Sequence, residues 1–216
     1  MKKLASLLTC ICLILSTTAC SQSKNYSSGN WGSKKVIASN KYVTKDIKVD
    51  NFKKISVAGS PDVTFTQKSG RPEVEVYTSD NIIDLLDIKV KDNTLYIGFK
   101  KDVNVSYKKL EVRVSAETLN GISVAGSGDI KGSGIKCNDM KVSVAGSGDI
   151  NADNITCNNL KVSVAGSGDM VLRNVTATGT EASVAGSGSA TITGTTQTAT
   201  STPAILWGWG LSPPGW

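Results

Sequence analysis

The 216-residue chain is long enough for one medium domain or two small ones, and its net charge of +6 rests mainly on lysine, with arginine only at Arg71, Arg113 and Arg173. A nucleic-acid surface more often clusters arginine with stacking aromatics, so the basic balance reads as solvated surface and no nucleic-acid partner is expected. The chain has no histidine, which removes imidazole acid–base catalysis and the commonest metal ligand.

Residues 1–20 open with Met1-Lys2-Lys3, continue with an apolar run from Leu4 to Leu15, and end in Ser16-Thr-Thr-Ala-Cys20. A basic start, a short apolar middle and small residues before a cut describe a secretory leader, too short to span a bilayer. Its removal takes Lys2 and Lys3 with it and leaves a charge of +4. Ala19-Cys20 fits a bacterial lipobox, in which the cysteine thiol is diacylglyceryl-modified, so Cys20 is the expected lipidation site. Thr17 stands where such sites usually carry Leu, and ordinary signal-peptidase cleavage to a soluble periplasmic protein is the alternative. Acyl chains on Cys20 would hold the protein at a membrane, each buried CH₂ contributing about 0.8 kcal/mol.

Residues 21–43 are mostly Ser, Asn, Gly and Lys and read as a flexible tether. From about Thr44 the chain turns to short alternating runs: Ile47–Val49, Ile55–Val57, Val63–Phe65, Val74–Val76, Ile88–Val90, Leu95–Ile97, Val103–Val105 and Leu110–Val114. These are strands with one buried face, separated by turn signals such as Gly70-Arg-Pro72 and Asp92-Asn93. Ser79–Leu86 has a capping residue and helical apolar spacing, which predicts one short helix.

The regular part runs from about 120 to 200. Ile122-Ser-Val-Ala-Gly-Ser-Gly-Asp-Ile130 returns as Val142–Ile150, Val162–Met170 and Ala182–Ala190, at a period of 20 residues without insertion or deletion. A unit that short cannot bury its own apolar face, so its copies must stack. The prediction is an all-β fold: a parallel β-helix-like solenoid with 20-residue coils, preceded by an irregular β-rich half, the whole domain covering 44–202. In each copy the glycines supply the positive φ of a corner: Gly126 and Gly128, Gly146 and Gly148, Gly166 and Gly168. Asp129, Asp149 and Asp169 follow, placed to accept backbone N–H groups and fix the corner as an Asx-turn. Ser56-Val-Ala-Gly-Ser-Pro-Asp-Val63 is a degenerate copy with Pro61 for the second glycine.

The repeat decays toward residue 200, and 203–216, with three of the four tryptophans, follow neither its period nor its composition. That tail reads either as an aromatic cap or as the product of a truncation or frameshift. Cys137 and Cys157 lie one period apart; a disulfide is conceivable in an oxidising compartment, but stacked Cβ atoms about 4.8 Å apart favour two packed thiols.

No catalytic residue, cofactor or metal ligand set is expected. Ser127, Ser147, Ser167 and Ser187 recur too regularly to be one nucleophile. A calcium-stabilised solenoid is an alternative, since stacked aspartates would repel at about 5 Å unless a cation or backbone donors relieved them. A polysaccharide-acting enzyme ranks behind it, with Lys131, Lys141 and Lys161 as its only cations of note.

With the leader, the Ile55-Ser-Val-Ala-Gly-Ser60 segment and the Ser-Gly-Asp-Ile ladder in view, residues 44–200 resemble the Bacteroidetes lipoproteins that carry the autotransporter-adhesin "head GIN" domain. The resemblance implies an exported, tethered, all-β, β-helix-like domain without an established activity. In such proteins the repeats usually run further, which favours the truncated reading of 203–216.

The expected function is therefore a non-enzymatic, lipid-anchored cell-envelope protein, an adhesin or glycan-binding solenoid held at the outer membrane, facing the periplasm or the cell surface. A periplasmic structural scaffold, partnered with other envelope proteins, is the alternative. Ser21-Gln-Ser-Lys-Asn25 has no acidic residue, which weighs against surface display.

Overall fold

The structure is a computed structural model that describes residues 34–201 and the backbone of 205–209. The leader with Cys20, most of the tether, and residues 202–204 and 210–216 lie outside the described residues. What is described is all-β, sixteen strands and one 3₁₀ turn, as the period-2 alternation of apolar residues requires.

The repeats pair with one another in parallel. One set of strands comprises β3 (Lys54–Gly59), β10 (Gly121–Gly126), β12 (Asp139–Gly146) and the second halves of β13 (Ile150–Gly166) and β14 (Met170–Gly186). Their register runs Ile55↔Ile122↔Val142↔Val162↔Ala182, an offset of 20 between each regular copy and the next. The degenerate copy at 56–63 thus takes its place in the same ladder. A second set is β4 (Asp62–Gln67), β11 (Ile130–Lys136), the first halves of β13 and β14, and β15 (Ala190–Ser201). Here Val63↔Ile130↔Ile150↔Met170↔Ala190 are in register. The offset slips once, by one residue, between Leu172↔Ile192 and Val175↔Gly194.

This register turns each apolar position into a column. Ile55, Ile122, Val142, Val162 and Ala182 are at most 2% exposed, as are Val63, Ile130, Ile150, Met170 and Ala190. Burying each large aliphatic side chain contributes about 1.5–3 kcal/mol, and like residues stacked in a column lose little to misfit. Side-chain size is balanced within columns: Phe65 is followed by Gly132 and Ala152, then by Leu172 and Ile192.

The amino-terminal half covers the first repeat. β7 (Thr94–Phe99) pairs in parallel with β3, and β6 (Leu86–Lys91) pairs antiparallel with β7. β9 (Leu110–Ala116) pairs in parallel with β4, followed outward by β5 (Glu73–Ser79) and β2 (Tyr42–Ile47), both antiparallel. The strands that end this lid, β2 and β6, carry Lys45, Asp46, Asp87, Lys89 and Lys91, charges of the kind that keep an open edge from pairing with another chain.

Two sequence expectations change here. Within the stretch read as a tether, β1 (Lys34–Ile37) pairs in parallel with β8 (Val103–Ser106), and β2 begins at Tyr42, before the expected boundary at 44. The short helix expected over Ser79–Leu86 is only a 3₁₀ turn, Ile83–Leu85. The Ser79 hydroxyl that was to cap it donates instead to Ser39 O at 2.7 Å, and Ile82, Ile83 and Leu86 are drawn into the core. In the tail, the backbone of β16 (Ile205–Trp209) pairs in parallel with β15 at an offset of 15, so this part of it extends the sheet.

Candidate functional site: the corner ladder and the lysine seam

The corners are built from close backbone approach. Gly126, Gly146, Gly166 and Gly186 have φ between +122° and +139°, and a Cβ on Gly146 would lie 2.3 Å from Gly126 O. Gly128, Gly148 and Gly168 have ordinary φ, yet a Cβ on Gly148 would lie 2.2 Å from Gly128 O. The first glycine is therefore required by conformation and by space, the second by space alone. Ser147 N–H and Gly148 N–H both donate to Gly126 O, at 2.8 and 2.9 Å, and the same pair of bonds recurs at each corner.

Asp129, Asp149 and Asp169 do not close their own turns as Asx-turns. Each carboxylate accepts the N–H of the equivalent residue one repeat on: Asp149 N–H to Asp129 Oδ1 at 3.0 Å, Asp169 N–H to Asp149 Oδ1 at 2.7 Å, Ser189 N–H to Asp169 Oδ1 at 2.9 Å. Asp62 of the degenerate copy accepts from Asp129 N–H in the same way, at 3.2 Å. The reason is reach: with N–H groups stacked one strand spacing apart, the neighbouring repeat's donor is nearer to the carboxylate than its own turn's. Backbone donors thus supply the relief from charge repulsion for which a cation was the other candidate. Among the described residues, no group of three or more His, Cys, Asp or Glu side chains is placed to hold a metal ion.

A second corner was missed in the sequence. Gly134, Asn154 and Asn174 have φ of +71°, +57° and +52° at a spacing of 20; beyond the one-residue slip, Gly194 has φ +147° but lies in register with Val175. Glycine and asparagine are the residues that tolerate the left-handed conformation, so the signal was present as a column of Gly, Asn, Asn.

Cys137 and Cys157 are both free, Cys137 half-buried and Cys157 buried. Burial pushes the Cys157 thiol up to about 11, with Cys137 and Asp139 adding to the effect. Burial and Asp139 likewise raise Cys137. Raised thiols are poor nucleophiles, so their surroundings suit packing and not catalysis.

A cleft of about 750 Å³ runs along the seam where one repeat passes into the next. One column of the seam runs Thr94, Lys54, Gly121, Lys141, Lys161, Glu181, Thr200 in strand order. Lys161 Nζ pairs with Glu181 at 2.9 Å, and Asn159 Nδ2 donates to Asp139 Oδ1 at 2.7 Å, so both acidic side chains of the cleft are engaged by neighbours. Lys54 and Lys141 stand at the other end of the cleft and also line an adjoining hollow of about 250 Å³. That hollow opens on the outer face of β3, β10 and β12, where Ser56, Ser123, Ser143, Ser163 and Ser183 form a row ending at the exposed Tyr96.

Residues 51–203 match the family described as "Putative auto-transporter adhesin, head GIN domain". The chain belongs to this family. Head GIN domains are adhesin-like, not an enzyme family, and an adhesin-like family belongs to the cell envelope or surface. Among the described residues no helix is long and apolar enough to cross a membrane. A crystal structure from Parabacteroides distasonis, described as a "putative lipid binding protein", is similar over 77% of this chain and 72% of that one, at 24% identity and a TM-score of 0.71. A "putative adhesin" from Bacteroides fragilis is similar over 82% of this chain and 94% of that one, at 25% identity and a TM-score of 0.62. Another from Parabacteroides distasonis gives 83%, 98%, 19% and 0.55 for the same quantities. No curated protein matches the chain.

Proposed function

We propose that this head GIN domain is a non-enzymatic, lipid-anchored adhesin of the cell envelope that holds a surface polymer against a parallel β-helix-like stack of 20-residue coils. The observation that carries the reading is the row Ser56, Ser123, Ser143, Ser163, Ser183, which presents one hydroxyl per repeat on the outer face beside the lysine seam. Short side chains at strand spacing offer the same hydrogen-bonding groups again and again, which suits a ligand that is itself a repeat, such as a glycan. The solenoid reading is supported by the 20-residue parallel register and the two left-handed corners per repeat, at Gly126 and Gly134 and their equivalents. Cys20 is the proposed lipidation site and the outer membrane the proposed location.

The test is protease treatment of intact cells with an enzyme too large to enter the periplasm, followed by immunoblotting for the domain. Loss of the domain supports the adhesin. Protection, while a known surface lipoprotein is shaved, replaces it with a periplasmic scaffold.

A further inference from the structure

We infer that the notch over Gly121, between Lys54 and Lys141, is an anion site that takes the carboxylates of an acidic polysaccharide. The inference rests on the polymer-binding reading above and names the chemical class of the polymer. Along the seam column, Gly121 is the position where a repeat contributes no side chain, and the repeats on either side contribute lysines. Two strand spacings, about 9.6 Å, therefore separate the backbones that carry Lys54 and Lys141, with the buried backbone of Gly121 as the floor between them. The stem of Lys54 leans over that floor: its Cγ and Cδ lie 3.3 and 3.7 Å from where a Gly121 Cβ would be.

The seam is also sorted by sign. Glu181 is spent on Lys161 and Asp139 on Asn159, whereas among the described residues neither Lys54 nor Lys141 has a carboxylate within ion-pair distance. An anion placed between them meets two ammonium groups without displacing an existing pair.

The surroundings choose a glycan over a lipid. The notch adjoins the serine row and the exposed Tyr96, a set of hydroxyls on the outer face. The columns beneath, Ile55, Ile122 and Val142, are at most 2% exposed and packed on one another, so the floor offers an acyl chain no chamber.

The experiment measures binding of the full-length chain to polygalacturonate, to neutral dextran and to anionic phospholipid vesicles, by titration calorimetry at low and physiological salt. The variants are Lys141→Glu, Gly121→Thr, and Lys131→Glu as a control of equal charge change on another face. Gly121 has no positive φ, and the tightest contact of a new Cβ is with a movable lysine stem, so Gly121→Thr fills the notch without straining the backbone. Polygalacturonate is expected to bind, to lose about tenfold in affinity in Lys141→Glu, and to change less than twofold in Lys131→Glu. Gly121→Thr is expected to weaken binding with its circular dichroism unchanged; should it fail to fold, Lys141→Glu decides alone. Equal losses in Lys141→Glu and Lys131→Glu, or tighter binding to vesicles than to polygalacturonate, overturn the anion site. If dextran binds as well as polygalacturonate and neither responds to Lys141→Glu, the inference fails and the polymer-binding reading stands. If no glycan binds at all, both fail.

Discussion

Replacing Gly148 by alanine puts a methyl group 2.2 Å from Gly128 O and 2.9 Å from Val124 Cγ1. Comfortable contact begins at about 3.5 Å, and the nearer atom is a backbone carbonyl that cannot rotate aside, so the corner must lift by roughly 1 Å. Three hydrogen bonds span that gap: Ser147 N–H and Gly148 N–H to Gly126 O at 2.8 and 2.9 Å, and Asp149 N–H to Asp129 Oδ1 at 3.0 Å. Losing two of them at about 1 kcal/mol each, with about 1–3 kcal/mol for overpacking, gives a destabilisation of about 3–5 kcal/mol. Gly134 provides the comparison, because its φ is +71° but nothing lies within 4 Å of a new Cβ. Gly134→Ala should then cost only the left-handed penalty of about 1–2 kcal/mol. Gly134→Asn, which installs the residue found at 154 and 174, should cost less than alanine does. Urea titrations followed by far-UV circular dichroism, compared at equal m values, give the three numbers. A Gly148→Ala cost no larger than that of Gly134→Ala would refute close stacking at the first corner.

The aspartate ladder and the thiols give further tests. Asp149→Ala should destabilise by about 1–2 kcal/mol through the orphaned Asp169 N–H, and Asp149→Asn by less, because an amide oxygen can still accept. Added calcium should leave the melting temperature of the unmodified protein unchanged; a rise with calcium that magnesium does not reproduce would restore the calcium-stabilised alternative. Thiol alkylation of the native protein at pH 8 should label Cys137 slowly and Cys157 only on unfolding, and rapid labelling of both would contradict the burial. Because Cys157 titrates near 11 when folded and near 8.5 when unfolded, the unfolded chain gives up its proton first. Its contribution to stability is therefore complete below about pH 8.5 and lost progressively as the pH rises toward 11, a loss that should be absent in Cys157→Ala titrated in parallel.

Much of this molecule could be read from the chain because its period is free of insertions. Once Ile122 and Val142 are set one repeat apart, the columns follow by counting as far as Leu172 and Ile192, beyond which the register slips by one residue, and the shared Ser-Val-Ala-Gly motif places Ile55 in register across an interval that is not periodic. What counting could not give was direction. Asp149 was recognised as an acceptor at a corner, but whether its donor lay in its own turn or in the next repeat depends on a distance that no residue pattern encodes. The Gly134, Asn154, Asn174 corner was overlooked because each copy carries a single turn-forming residue there, and its type changes from Gly to Asn, whereas Gly126 and Gly128 announce theirs twice in every copy. Strand β1 was hidden by a different circumstance, its Lys-Lys-Val-Ile sequence being too short to show alternation. The lysine seam could not be seen at all from composition, since Lys54 and Gly121 are 67 positions apart and become neighbours only through the lid that separates them in the chain.

The uniform corner has a further consequence for how such a molecule changes length. Asp149 offers the repeat above it the same acceptor that Asp129 offers to Asp149, and Gly146 meets Gly126 as Gly166 meets Gly146. A duplicated segment of 20 residues inserted between two corners would therefore find complementary groups above and below, without a single compensating substitution. Each such insertion adds one strand, about 4.8 Å wide, to the parallel ladder and one serine to its outer row. The gene can thus set the number of serines in that row in whole steps, like rungs added to a ladder.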